Sequence, residues 1–114
     1  FIVDSTMPVT FPIAVETAFD EYIAMLYRQS DMSGTYEDRS PSTHLNVVRK
    51  LVESSKKALA DDLLDVAYVK NARALKIIDE YDLRSKLCDA EATEVRRLMR
   101  GTLDSEAQLR RKLV

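Results

Sequence analysis

The chain is poor in the residues that form disulfides and metal sites. Its 114 residues include one cysteine, Cys88, and one histidine, His44. A single cysteine cannot form an internal disulfide, and a structural zinc site needs several cysteine or histidine ligands at set spacings. We therefore expect no metal site and a reducing intracellular location, in the cytoplasm or the nucleus. Cys88 is expected to be a small hydrophobic core residue, and His44 a solvated or capping residue.

Signatures of catalysis are missing as well. The two glycines stand far apart, so there is no glycine-rich phosphate loop, and no Gly-x-Ser-x-Gly motif occurs. A Ser-His-Asp triad would depend on His44 alone. Neighbouring acids such as Asp61, Asp62 and Asp65 are expected to form a solvated helix face. The sequence therefore predicts a chain that is not an enzyme and holds no cofactor.

Long apolar runs are also absent. No run approaches the roughly 20 residues that cross a bilayer, and the apolar N-terminal stretch contains Asp4, Pro8 and Pro12 without a basic region before it. It is not a signal peptide by this pattern, and we expect no membrane partner. The chain begins with Phe1 rather than Met and ends at Val114 inside an amphipathic pattern. These ends predict a fragment of a longer protein.

Only two glycines and three prolines occur, which leaves little material for hairpin turns, whereas Ala, Leu, Glu, Lys and Arg are common. Those five residues favour helix. The predicted fold class is all-α: a compact bundle of four to five helices with an extended N-terminal arm. The arm covers residues 1–10, and residues 11–114 form a single helical domain, which suits the length.

Helix boundaries follow from the apolar periodicity and the few helix breakers. Ser40 and Pro41 have the pattern of an N-cap and a first helical residue, and Gly101 is expected to end a helix. The predicted helices run from about Phe11 to Asp31, from Pro41 to a break between Ser54 and Asp61, from about Asp62 to Tyr81, from an Asp89 cap to Arg100, and from Thr102 or Asp104 onward. The third of these is the most apolar, so we expect it to be central, with Leu63 and Ile77 nearly fully buried.

Basic charge is concentrated in the last fifth of a chain whose formal net charge is −2. Six basic residues face three acidic ones after residue 93: Arg96, Arg97, Arg100, Arg110, Arg111 and Lys112. The first three lie opposite the apolar Val95/Met99 stripe and are predicted to face outward. A helix, Gly101 and a second helix invite comparison with a helix-turn-helix DNA reader. The match is poor, because Arg96, Arg100 and Thr102 would occupy its packing positions.

Two partner surfaces follow from these patterns. One is the basic C-terminal region, and the other is the hydrophobic arm that begins with Phe1, Ile2 and Val3. The predicted function is a protein–protein interaction or assembly module of a larger intracellular protein. Its partner would be another protein or a further part of its own full-length chain. The alternative is a nucleic-acid-binding helical domain that uses the C-terminal arginines, which is not favoured because no aromatic residue lies among them.

Deletion of residues 1–9 tests the role of the arm, since it removes Phe1, Ile2, Val3, Met7 and Val9. We expect the arm to pack on its own bundle, so that the melting temperature measured by circular dichroism falls. An unchanged melting temperature with loss of self-association or partner binding would assign the arm to a partner. If neither property changed, the arm would have no packing or binding role.

Overall fold

A computed structural model describes residues 13–30 and 40–113 of the chain, with side chains from residues 16–30 and 40–112. The described part contains five helices and no strand, which confirms the predicted all-α bundle. They are α1 (Ile13–Ser30), α2 (Pro41–Ala60), α3 (Leu64–Glu80), the single turn α4 (Leu83–Lys86) and α5 (Asp89–Leu113). The predicted arm and most of the loop before Ser40 lie outside the described residues.

The helices α2 and α3 form an antiparallel pair that contacts all the other helices. On one side lies α1, which Tyr22 ties to α2 by donating a hydrogen bond from its hydroxyl to Ser54 Oγ at 3.3 Å. On the other side lies α5, which runs parallel to α2. Ser42 near the start of α2 bonds Glu91 near the start of α5, and Asp62 just after α2 pairs with Lys112 near the end of α5.

The start of α2 agrees with the sequence pattern. Ser40 is the N-cap in an extended conformation, and its hydroxyl accepts a hydrogen bond from the Thr43 backbone N–H at 3.2 Å. Pro41 follows as the first helical residue, where its lack of an N–H costs nothing. The cap and proline predicted from the sequence are therefore confirmed.

The end of α2 has no glycine, although the chain turns sharply there. Asp62 takes the left-handed conformation (φ 59°) that glycine usually supplies. The backbone N–H of Asp62 bonds the Leu59 carbonyl, and that of Leu63 bonds the Ala58 carbonyl, which is the hydrogen-bond pair of a Schellman cap. The helix ends at Ala60, inside the interval predicted between Ser54 and Asp61, although the turn that follows extends to Leu63. Leu63 sits on this turn and is 51% exposed, so the prediction of its burial was wrong.

Two apolar clusters form the core. The larger one joins all five helices, and the smaller one packs α2, α3 and the end of α5 around Ala58, Leu59, Ala67 and Leu109. Ile77 is 3% exposed, as predicted. The third helix is central as expected, yet α2 has ten buried residues against six in α3. The antiparallel pair, rather than α3 alone, is the centre of the bundle.

A buried polar layer lies between the two clusters. Asn71 of α3, which is 3% exposed, donates from Nδ2 to the Thr102 carbonyl of α5 at 2.7 Å. The Ser55 hydroxyl of α2 donates to the Ala67 carbonyl at 2.9 Å and lies 3.4 Å from Asn71 Oδ1. The Thr102 hydroxyl donates to the Met99 carbonyl of its own helix. These contacts join α2, α3 and α5 at one level of the bundle.

The predicted environments of the lone histidine and the lone cysteine were both wrong, because His44 is buried and Cys88 is exposed. His44 is 2% exposed, and a 2.7 Å hydrogen bond joins its Nδ1 to Tyr27 Oη while its ring stacks on Tyr81 with centroids 3.9 Å apart. Two aromatic residues that are distant in sequence thus enclose it. Cys88 is exposed and lies 3.1 Å from a Glu91 carboxylate oxygen. It directly precedes α5, where its carbonyl accepts the first bond of the helix, from Ala92.

Paired substitutions at Ile77 and Leu63 test this core. We expect Ile77→Ala to lower the free energy of unfolding by about 2–5 kcal/mol, because it removes buried methylene groups and leaves a cavity. Leu63→Ala is expected to cost less than about 1 kcal/mol, because half of the Leu63 side chain already contacts solvent. Chemical denaturation of both variants measures the difference. Equal losses at the two sites would contradict the packing described for α3.

Candidate partner-binding surface

The outward face of α5 carries three arginines within little more than one turn. Arg96, Arg97 and Arg100 are all exposed, as predicted. Their positions follow from the opposite face, where Val95 and Leu98 are buried in the larger apolar cluster. Arg96 Nη2 donates to Thr93 Oγ1 at 3.1 Å, and in the described part of the chain no ion pair includes Arg100. Much of this positive charge is therefore free to meet a partner.

Glu94 anchors this group of arginines to α2. Arg49 of α2 donates to both carboxylate oxygens of Glu94, with Nε–Oε1 at 2.7 Å and Nη2–Oε2 at 2.5 Å. Hydrogen bonding from Arg49 lowers the pKa of Glu94, although partial desolvation opposes the shift, and the same hydrogen bond raises the pKa of Arg49. Arg97 Nη2 lies 3.5 Å from Glu94 Oε1, yet its side chain stays 67% exposed. Arg49 thus links α2 to α5, whereas Arg97 remains available to a partner at the surface.

The three basic residues near the end of α5 differ in their surroundings. Arg110 is half-buried and pairs with Glu106 at 3.1 Å, while its Nη1 is buried and has no hydrogen-bond partner among the described residues. Lys112 Nζ pairs with Asp62 at 3.0 Å, with both groups partly exposed. Arg111 is exposed. The structure therefore separates Arg110 from the outward cations that the sequence grouped with it.

The basic residues form two groups rather than one cluster. Arg111 follows Arg100 by eleven residues, which is about 16 Å along a helix at 1.5 Å per residue. The exposed Leu103 lies between the two groups, with 51% of its side chain accessible. The outward face of α5 is consequently mostly cationic, with the exposed Leu103 and the exposed Asp104 in its middle.

Gly101 does not end a helix. It lies inside α5, which is continuous from Asp89 to Leu113, so the predicted stop and the predicted separate fifth helix were wrong. The residues that follow explain the continuation, because Thr102, Ser105 and Leu109 are buried and pack the second half of α5 against the bundle. The turn of a helix-turn-helix unit is therefore absent at this glycine.

The contribution of α2 to this surface was not predicted from the sequence. A Cβ atom placed on Gly101 would lie 3.9 Å from Lys56 Nζ, so Lys56 projects from α2 toward the cationic face of α5. Lys57 beside it is also exposed. No local signal in the sequence shows that α2 and α5 are parallel neighbours, since some forty residues separate them.

Other kinds of site find little support in the described residues. Within residues 13–30 and 40–113 no group of three or more potential metal-ligating side chains comes together. None of the described helices is both long enough and apolar enough to span a membrane. Phe1, Ile2 and Val3, the other predicted partner-binding residues, lie outside the described residues.

Comparison with known proteins gives no family for this chain. It matches no family model, no curated protein and no solved structure. The chemistry of its surfaces is thus the basis for a functional proposal.

Gly101→Ala tests whether the fold itself requires this glycine. Its added Cβ would meet only the flexible end of Lys56, at an ordinary contact distance. We expect the free energy of unfolding to rise by about 0.5–1 kcal/mol, because alanine loses less backbone entropy in a helix. Ala107→Gly, at an exposed position of the same helix, is the matched control and should lower stability by a similar amount. Destabilisation by Gly101→Ala would show that the bundle needs a glycine there.

Proposed function

We propose that this chain is a protein–protein interaction module of a larger intracellular protein, and that it binds its partner through the outward face of α5. The observation that carries the proposal is the concentration of exposed cations on a helix face that has no role in the core. The exposed residues there are Arg96, Arg97, Arg100 and Arg111, together with Leu103 and one acid, Asp104. Interfaces are enriched in arginine, which combines charge with an apolar stem.

The charge of the partner follows from the charge of this face. An acidic protein surface would gain complementary contacts with the arginines, and such contacts favour fast association and the correct orientation. The exposed Leu103 would add apolar area between the two cationic groups. Glu94 is already occupied by Arg49, so it leaves most of the neighbouring positive charge uncompensated.

A nucleic acid is the second candidate partner, because three outward arginines within little more than one turn could also contact phosphates. Two features favour a protein. The continuous α5 has no turn at Gly101 to form a helix-turn-helix unit, and no aromatic side chain lies among the arginines to stack on a base. An enzymatic role is not proposed, since the surface offers arginines without a nucleophile or a paired acid and base.

Charge reversal on α5 tests this proposal in the full-length protein. The Arg96→Glu, Arg97→Glu, Arg100→Glu triple variant is compared with Arg28→Glu, Lys76→Glu, Arg84→Glu, which reverses three exposed charges on other helices. Partner proteins are captured from nuclease-treated extract of the native cells and quantified by mass spectrometry. We expect the same proteins with the wild type and the control, and at least tenfold less with the α5 triple variant.

Titration with labelled oligonucleotides distinguishes nucleic-acid binding from protein binding. At about 50 mM salt electrostatic binding is strong, and four phosphate contacts on a duplex would give a slope of log K against log salt near −3.6. Micromolar binding of duplex or single strands that the α5 triple variant abolishes would replace the protein-binding proposal with nucleic-acid binding. Capture of the same proteins by all three forms would also contradict the proposed surface.

A further inference from the structure

A cleft runs between the parallel helices α2 and α5, beside the cationic face. Its volume is about 390 Å³. It is lined by Lys56, Leu59, Ala60, Ser105, Gln108 and Lys112. Residues 105 to 112 extend about 10 Å along α5, which is two helical turns. The cleft is therefore long enough to contact two turns of a third helix.

The walls of the cleft combine apolar surface with small side chains. The exposed Ala60 and the edge of Leu59, which is 8% exposed, supply apolar surface from α2, and Ser105 presents only a small side chain from α5. Gly101 lies one turn before Ser105 and has no side chain at all. Helices pack when the side-chain ridge of one enters the groove of another, and small residues let the two axes come close. An apolar floor of this kind suits a helix with a hydrophobic stripe.

The charge of the cleft distinguishes it from its neighbours. Two of its six lining residues are lysines and none is acidic. Three other clefts between the helices each include an acid: Asp20 and Glu80 between α1 and α3, Glu106 between α3 and α5, and Glu53 between α1 and α2. A partner helix in the α2–α5 cleft would thus meet positive charge from both walls.

The residues around the cleft are also mostly positively charged. Arg100 and Arg111 are exposed on α5, and within the described residues neither they nor Lys56 take part in an ion pair. The nearby acids are Asp104 on α5, the exposed Asp61, and Asp62, which pairs with Lys112. Cations therefore exceed acids around a floor that is partly apolar.

We infer that the α2–α5 cleft binds an acidic amphipathic helix of a partner protein. The hydrophobic stripe of that helix packs on Leu59 and Ala60, and its carboxylates contact Lys56, Lys112 and the flanking arginines. A phosphate backbone would use the cations but has no apolar face to bury against α2. The inference rests on the proposed function, since it specifies where and by what chemistry the protein partner is recognised.

A display library of 18-residue amphipathic helices tests the inference, with the solvent-facing positions randomised and the full chain as the target. We expect the enriched helices to carry Asp and Glu beside an apolar stripe. One enriched helix is then synthesised with a fluorescent label, and a second version replaces its Glu and Asp with Gln and Asn. Fluorescence anisotropy at 150 mM salt should show at least tenfold weaker binding of the amide version.

Charge reversal in the cleft locates the binding site. Lys56→Glu combined with Lys112→Glu should weaken binding of the acidic helix at least tenfold. Lys76→Glu combined with Lys86→Glu, two exposed positions outside the cleft, should change it less than twofold. Circular dichroism melting should show both double variants folded, with a small loss of stability only in the cleft variant, because Lys112 forms an exposed ion pair with Asp62.

Four results would overturn the inference. The enriched helices could bind the cleft variant as tightly as the wild type, or the library could yield no binder although the native extract yields a partner. In both cases the proposed function stands and only this site is wrong. Sedimentation showing a dimer of the chain that Lys56→Glu with Lys112→Glu dissociates would make a second copy the occupant. With neither a library binder nor an extract partner, the proposed function fails as well.

Discussion

The register of the bundle depends on the amide of Asn71. This side chain is buried between two apolar clusters, and its Nδ2 reaches the Thr102 carbonyl at 2.7 Å. A buried amide without a partner costs about 1–3 kcal/mol, so separating α5 from α3 at this level would carry that penalty. The apolar contacts alone specify register weakly, since aliphatic side chains can interdigitate in several ways. The polar layer selects one of them.

The same register determines which charges meet at the surface. With Thr102 held at Asn71, Leu109 packs in the smaller cluster and Lys112 lies 3.0 Å from Asp62. Arg49 reaches Glu94 with its Nε and Nη2 groups, and Lys56 comes beside Gly101. The packing that includes the Asn71–Thr102 hydrogen bond thus also brings the lysines of α2 and α5 together at the cleft. A change at Asn71 would therefore alter the surface as well as the core.

Local signals in the sequence predicted the features that depend on local physics. Ser40 and Pro41 start α2 because a hydroxyl and a fixed φ angle act within one turn, and Ile77 is buried because it belongs to an apolar stripe. Leu63 differs because the Schellman turn after α2 directs its side chain outward, and the left-handed residue of that turn is an aspartate. Glycine, or less often asparagine, is the usual residue at that position, so an aspartate gives no clear signal of the turn in a sequence.

Features that depend on distant partners could not be predicted. His44 is buried because Tyr27 and Tyr81 enclose it, and neither lies near it in sequence. The outward arginines of α5 followed from periodicity, whereas Lys56 joins them only through the parallel packing of α2 and α5. The basic C-terminal sequence indicated positive surface charge, but it could not indicate the cleft that Lys56 and Lys112 line.

Gly101 shows how the fold and the proposed function relate. A glycine in a helix interior costs about 0.5–1 kcal/mol relative to alanine, and the packing of Thr102, Ser105 and Leu109 on its C-terminal side offsets that cost. Steric demand within the described residues does not explain the glycine, since its missing Cβ would approach only Lys56 Nζ, at 3.9 Å. The residue lies one turn before the cleft that we assign to a partner helix. Close approach of a partner helix is a constraint that would favour glycine there, and under our proposal it comes from outside the chain.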